Sequence, residues 1–171
     1  MHKQMLGLLP LGSKAHLTEM YGYSSKGIPG LEIVGLGSKG KAIKEKFIFL
    51  SKKYNLKIAP KRYVLCIDDN TVLGSLSSKE ELYRWLELPL LILYWSMAGV
   101  LPIQNLSDCL CAGRISTRGK IEPFRFDETS SDFLHRLDDL KLKVIASYND
   151  DLRGLTYFIP LDEIIKFPDA S

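Results

Sequence analysis

The chain has 171 residues, of which 46% are hydrophobic, 25% charged and 10% aromatic, a composition typical of one globular domain and not of a disordered chain. At this length a folded chain buries roughly 70% of its unfolded surface, so a core forms without disulfides or metal. The net charge of +3 identifies no partner, and three cysteines without an apolar leader favour a reducing, cytoplasmic location. We expect a single domain over residues 1–171.

Hydrophobic periodicity predicts strands and helices in mixed order along this domain. Strands are predicted at residues 4–9, 17–23, 31–34, 63–67, 109–116, 120–124, 142–146 and 156–159. Helices are predicted at Lys41–Tyr54, at Pro89–Val100, from a cap at Thr129, Ser130 or Ser131 to Leu140, and as a last turn at residues 160–165. We expect residues 71–79 to form a polar loop.

Residues 88–103 carry no charge and resemble a membrane span at first sight. Crossing a bilayer takes about twenty apolar residues, however, and Pro89 and Pro102 bracket a shorter helix. Because this helix is apolar all round, we predict that it lies in the centre of the core and that the chain makes no membrane contact.

Charge is distributed unevenly along the chain. Between Leu36 and Arg62 nine basic residues accompany the single acid Glu45, whereas from Asp127 onward ten acids accompany six bases, His135 included. The asymmetry predicts either an anionic ligand for the basic part or a solvated helix face beside an acidic tail. His135, close to Asp138 and Asp139 on the same predicted helix, is expected at the surface.

A glycine pattern lies between the strand at residues 31–34 and the basic helix. Gly35, Gly37 and Gly40 form GxGxxG, and with Lys41 they approach a phosphate-binding loop. Ala42 stands where such a loop needs a hydroxyl to hold magnesium, and no acid follows about twenty residues later, as a dinucleotide site requires. Nucleotide binding by these residues remains an alternative. In this alternative the strand 63–67 and Asp68–Asp69 resemble the strand and acid that hold magnesium beside a phosphate-binding loop.

The cysteines offer a second possible site. Cys109 and Cys111 alternate in one predicted strand and share a face, while Cys66 lies in another strand. Since the sequence has no CxxC spacing and its histidines are scattered, we interpret the three as small buried hydrophobes in adjacent strands and predict neither a metal nor another cofactor.

The basic helix is the stronger candidate for a functional surface. Lysine and arginine bind phosphate backbones without reading sequence. The predicted contact residues are Lys41, Lys44, Lys52, Lys53, Lys61 and Arg62. Phe47 and Tyr54 fall on the apolar stripe of the helix, which leaves Phe49 as the aromatic free to stack on a base. The alternative is a lysine-rich solvated face without a ligand.

Four blocks in chain order resemble the N-terminal domain of the magnesium-chelatase-like family of the ChlI, YifB and ComM type. They are LGSKAHLTEMYGYSSKGIPGLEIVGL at residues 11–36, PKR and the strand after it at 60–67, LELPLLILYWSMAGVLP at 86–102, and GRISTRGKIEPFR at 113–125. The family's counterparts are an opening hairpin with the strand GLPxFxIVGL, the strand PxKRITVNL, the helix FDLPIALGILAASGQIP and the hairpin GELSLDGELRPVR.

The resemblance implies a ribosomal S5 domain 2-like fold, a mixed sheet with helices packed on it, shared with the Lon protease domain. In that family Gly35–Leu36 ends a strand without binding phosphate. Trp85–Glu87 and Glu128 stand where Lon-like proteases place the serine and lysine of their dyad, so peptidase activity is not expected. The family's acidic, glycine-containing stretch is replaced by residues 71–85.

Family members continue into an AAA+ ATPase, and this domain accompanies a DNA-processing motor in natural transformation. The resemblance therefore implies a stand-alone, non-catalytic binding or assembly module with DNA, an AAA+ protein or another protein as its partner. A protein-interaction module that docks through residues 127–169 is a further alternative.

Overall fold

A computed structural model describes residues 1–12, 14–126, 131–147 and 158–165. The strands in these ranges are β1 His2–Leu11, β2 Lys14–Ser25, β3 Gly30–Val34, β4 Arg62–Ile67, β5 Cys109–Cys111, β6 Gly113–Ile115, β7 Ile121–Pro123, β8 Lys143–Ala146 and β9 Phe158–Pro160. The helices are α1 Lys39–Lys53, α2 Asn70–Ser75, α3 Glu87–Met97, α4 Ser131–Asp139 and α5 Leu161–Ile164, and a 3-10 helix spans Leu82–Leu86.

Seven strands form one mixed sheet in the order β3-β4-β2-β1-β5-β8-β9, and β6 and β7 form a separate hairpin. The pairs β1–β2 and β2–β4 are antiparallel. The pairs β3–β4, β1–β5, β5–β8 and β8–β9 are parallel. The predicted class, an α/β fold with helices on a mixed sheet, is confirmed at this level.

The core lies on both faces of the sheet because strand side chains alternate between them. On one face α1 contributes Ile43, Phe47 and Leu50, and every residue of α3 is buried. On the other face α4 contributes Phe133 and Leu137, which cluster with strand residues from the middle of the sheet. The predicted central position of the uncharged helix is therefore confirmed. Among the described residues, no helix has both the length and the apolarity that a bilayer crossing requires.

The predicted polar loop at residues 71–79 is wrong in its first half. Asp69 caps α2 there, with its carboxylate accepting hydrogen bonds from the amides of Thr71 and Val72. Val72 is fully buried. A capping aspartate with one buried apolar residue forms a short helix that the polar composition of this segment conceals.

The limits of the central helix also differ from the prediction. It begins at Glu87, two residues before Pro89, because proline is tolerated in the first turn of a helix. It ends at Met97 instead of Val100, since Gly99 takes a left-handed conformation and closes the helix.

The single strand predicted over residues 109–116 is two strands in different sheets. At Gly113 a side chain would meet Leu88 of α3, with its Cβ 2.6 Å from the Leu88 Cδ2 atom. This close approach lets the β6–β7 hairpin leave the main sheet and cross the start of α3. The predicted residues Thr129, Ser130, Glu128 and Thr156 lie outside the described ranges.

Candidate nucleic-acid interface

Helix α1 connects two parallel neighbours, β3 and β4, and so runs from the carboxyl end of β3 to the amino end of β4. Its apolar stripe faces the sheet, and its lysines occupy the other sides. Lys52 and Lys53 lie in the last turn, where positive side chains complement the negative end of the helix dipole.

The six predicted contact residues separate into two groups. Lys41 and Lys44 lie near the start of α1, whereas Lys52, Lys53, Lys61 and Arg62 lie at the opposite end of the sheet. Along the helix axis, Lys44 and Lys52 are about 12 Å apart. The six predicted residues therefore do not form one compact surface.

Lys46, a further member of the basic segment, is turned toward the protein interior, with its side chain 18% exposed. Its Nζ atom lies 2.7 Å from Glu87 Oε2 and donates to the Ile115 carbonyl at 2.9 Å. Glu87 is only 1% exposed and also accepts from Arg84 at 3.2 Å and from the Ile115 amide at 3.0 Å. This ionic cluster fastens α1, α3 and β6 together.

The turn between β6 and β7 adds a further cation to the second group of predicted residues. The turn between β6 and β7 reaches the end of α1, where the Lys53 ammonium donates to the Arg118 carbonyl at 3.4 Å. We name as the basic surface the exposed cations at the end of α1, in the loop and first residue of β4 that follow, and in the β6–β7 turn: Lys52, Lys53, Lys57, Lys61, Arg62 and Arg118. Arg62 is paired with Glu32 at 2.8 Å, but both side chains are exposed, so the pair is weak and Arg62 remains available.

An aromatic ring and a groove accompany these cations. Phe49 is 49% exposed, so the predicted exposure of this ring is confirmed. The ring lies against Gly119, where an added Cβ would be 3.6 Å from it. A groove of about 700 Å³ opens beside Lys52 and Lys57, with Tyr94 in its wall. Burial, with a smaller contribution from Tyr63, raises the pKa of Tyr94 to about 12, which keeps its hydroxyl protonated.

The glycine pattern has packing reasons of its own. A side chain at Gly35 would overlap the Ile67 carbonyl oxygen, Gly37 takes a left-handed conformation, and a Cβ at Gly40 would lie 3.2 Å from the Ile33 carbonyl. The Lys39 and Gly40 amides donate to Leu36 and Gly37 within the loop. Two amides at the start of the helix are therefore already bonded, which weakens the nucleotide-binding alternative for Gly35, Gly37, Gly40 and Lys41.

Asp69, the acid that would hold magnesium in the nucleotide-binding alternative, has structural partners of its own. Asp69 caps α2, and its Oδ2 atom lies 2.7 Å from His16 Nε2. Partial burial acts to raise the pKa of the Asp69 carboxyl, but hydrogen bonds from His16 and Val72 outweigh it and hold the pKa below its usual value. The carboxylate is thus part of the fold at the carboxyl end of β4.

The cysteines are buried thiols. Cys109 and Cys111 share one face of β5 and belong to the larger core cluster, as predicted. Cys66 is not in an adjacent strand, because β2 and β1 separate β4 from β5. Burial raises the pKa of Cys109 to about 11 and also raises the pKa of Cys111. Within the described ranges, no three His, Cys, Asp or Glu side chains are grouped to hold a metal ion.

The separate chain segments that form the basic surface were only partly predictable. The lysines of α1 follow from the helical pattern, but Arg118 comes from a turn 65 residues away from Lys53. The sequence predicts that turn from Gly119 but does not show where the turn packs.

No protein-family model matches the chain, and comparison with curated proteins gives no significant match.

Proposed function

We propose that this protein is a non-catalytic binding module that holds the phosphate backbone of a nucleic acid on the basic surface. The observation that carries the proposal is the set of six exposed cations at the end of α1, in the loop that leads into β4 and in the β6–β7 turn, with the exposed ring of Phe49 lying against that turn at Gly119. Phosphates bind such cations through counterion release, and an exposed ring adds stacking on a base.

We also propose the finer assignment of the fold, the ribosomal S5 domain 2-like arrangement of the magnesium-chelatase-like family. Its support is the placement of the four resembling blocks. They fall on the end of the first hairpin with β3, on β4, on α3 and on the β6–β7 hairpin, which are the kinds of element that the resemblance requires. In this assignment the module works together with a motor or another assembly partner.

The side chain at the start of α3 supports a non-catalytic role. Glu87 lies where related proteases carry their nucleophile region, and its two oxygens are occupied by Lys46, Arg84 and the Ile115 amide. A carboxylate held in this way at 1% exposure fastens elements together and does not meet a substrate.

The test is fluorescence anisotropy with labelled single- and double-stranded oligonucleotides between about 50 and 200 mM salt. We expect binding at low salt whose logarithm falls linearly with the logarithm of salt concentration. The triple variant Lys52→Gln, Lys61→Gln, Arg62→Gln is expected to reduce this slope by roughly two to three.

Lys14→Gln is the matched control, because Lys14 is exposed at the start of β2 and far from the basic end of the sheet. It should bind as the wild type does. Absence of binding at low salt, or an unchanged slope in the triple variant, rules the proposal out.

A further inference from the structure

One half of the sheet surface opposite α1 and α3 carries aromatic and apolar side chains in register. Strand pairing places side chains in two rows across β1, β2, β4 and β3. The first row is His2, Tyr23, Val64 and Glu32, and the second is Gln4, Tyr21, Cys66 and Val34. We name these two rows the open face.

The open face differs from the other half of the same sheet side. Around β1, β5 and β8 that side is covered by Phe126 and by Phe133 and Leu137 of α4. On the open face, by contrast, Tyr23 is 37% exposed and Val34 47% exposed, and His2 and Gln4 are exposed as well. Val64 and Cys66, between these residues, are covered at 2% and 8% exposure, so the accessible part of the open face consists of His2, Gln4, Tyr21, Tyr23, Glu32 and Val34.

The two tyrosines are arranged as a stacking platform. They are two residues apart on β2, so they point to the same side with a spacing of about 7 Å. The His2 ring lies 6.2 Å from the Tyr21 ring, centre to centre. Rows of aromatic side chains on an open sheet are the means by which RNA-recognition domains stack two or three unpaired bases.

Charge around the open face is separated along the strands. At one end Ser25 pairs with Arg62, and Lys26 and Lys61 are the next residues outward. The Ser24 amide donates to the Met1 carbonyl at 3.0 Å, which brings the N-terminal residue to this end too. Glu19 and Asp68 lie toward the other end of β2 and β4, and Glu32 forms an exposed, weak ion pair with Arg62.

We infer that the open face binds single-stranded nucleic acid, with bases stacked on Tyr21 and Tyr23 and phosphates held by Lys26, Lys61 and Arg62. The inference rests on the proposed function and makes it more specific. In a duplex the ring faces of the bases are stacked on one another, so they are not available to the tyrosines. Unpaired strands should therefore bind more tightly than duplexes of equal length.

The test uses the full chain and labelled oligo-dT, oligo-U and a duplex of the same length. Tyr21→Val and Tyr23→Val remove a ring while keeping a side chain that suits a strand. We expect each to weaken single-strand binding on the order of ten-fold, with the salt dependence unchanged. Tyr21→Phe and Tyr23→Phe, the matched controls, retain the rings and should retain the affinity. The dT and U arms distinguish DNA from RNA as the source of the strand.

Two results would overturn the inference. One is equal affinity for single strands and duplexes, and the other is unchanged affinity in both valine variants, with thermal melts showing that these variants are folded. If Lys61→Gln and Arg62→Gln still weaken binding in either case, the proposed function stands and only the open face is lost. If the wild type binds no oligonucleotide, the proposed function itself fails.

Discussion

Gly35 lies between β3 and α1, where the backbone passes close to the end of β4. Its φ of +104° is a conformation that side-chain-bearing residues rarely adopt, and a Cβ there would overlap the Ile67 carbonyl oxygen. The requirement for glycine thus comes from the approach of β4. The glycines of a pattern that suggests phosphate binding thus have reasons in packing and backbone conformation.

We expect Gly35→Ala to lower the free energy of unfolding by about 3 kcal/mol or more, because backbone strain and a steric overlap add. Gly30→Ala is the matched control, since Gly30 has open space around its Cα and no left-handed backbone. Urea denaturation of both variants measures the difference. Equal stability of the two would show that the loop moves away from Ile67 freely.

Asp69 gives a pH-dependent contribution to stability. Its carboxylate caps α2 and pairs with His16, and its pKa is lowered below the usual 3.8. A lowered folded-state pKa means that the ionised form favours the native state. The contribution is therefore complete above the unfolded-state pKa and is lost as pH falls through the folded-state pKa.

We expect Asp69→Ala to destabilise the protein by about 1–2 kcal/mol at pH 7, the usual effect of losing a cap, and by less at pH 3. Denaturation curves at several pH values measure this. Asp68→Ala, which changes the exposed neighbour, should have little effect at any pH. A deficit in Asp69→Ala that is as large at pH 3 as at pH 7 contradicts the assignment.

At the scale of elements, the ionic cluster around Glu87 determines how α1, α3 and the β6–β7 hairpin fit together. Lys46 reaches it from α1, Arg84 from the 3-10 helix, and Ile115 from β6. A buried carboxylate that keeps several partners is tolerated, whereas removal of one partner leaves charge uncompensated. The cluster therefore stabilises one relative placement of these elements.

Lys46→Met is expected to lower the free energy of unfolding by about 2–3 kcal/mol, because Glu87 loses a charged hydrogen-bond donor inside the protein. Lys44→Met is the control on the same helix: Lys44 forms no ion pair with any described residue, and its loss should change stability by less than about 0.5 kcal/mol. Thermal melts or urea curves compare them. A Lys46→Met variant as stable as Lys44→Met would show that Arg84 alone suffices for Glu87.

The elements also show what the sequence can predict and what it cannot. Helix α1 is predictable because Ile43, Phe47 and Leu50 recur at helical spacing and are all buried. The break between β5 and β6 is not, since it depends on the proximity of Leu88 to Gly113, which only the folded chain creates. The ion pair of Lys46 with Glu87 was not predictable for the same reason. Nothing in the sequence distinguishes Lys46 from the other lysines of the basic segment.

At the scale of the whole molecule, the two ends of the sheet differ in charge. The exposed cations at the end of α1 and at the start of β4 lie at the amino end of β4, whereas Lys41 and Lys44 share the opposite end with Asp68 and Asp69. The mixed α/β class follows from the alternation of strand and helix patterns along the chain. The position of the basic surface does not, because it depends on strand order and on a turn from a distant segment.

The pairing of β1 with β5 also affects how the sheet forms during synthesis on the ribosome. Leu6 pairs with Leu110 in β5, so the centre of the sheet joins segments about a hundred residues apart. At translation rates of roughly 5–20 residues per second, the β1–β2 hairpin waits on the order of ten seconds for that partner. During this interval one edge of β1 presents unpaired backbone groups on which strands of other chains can pair.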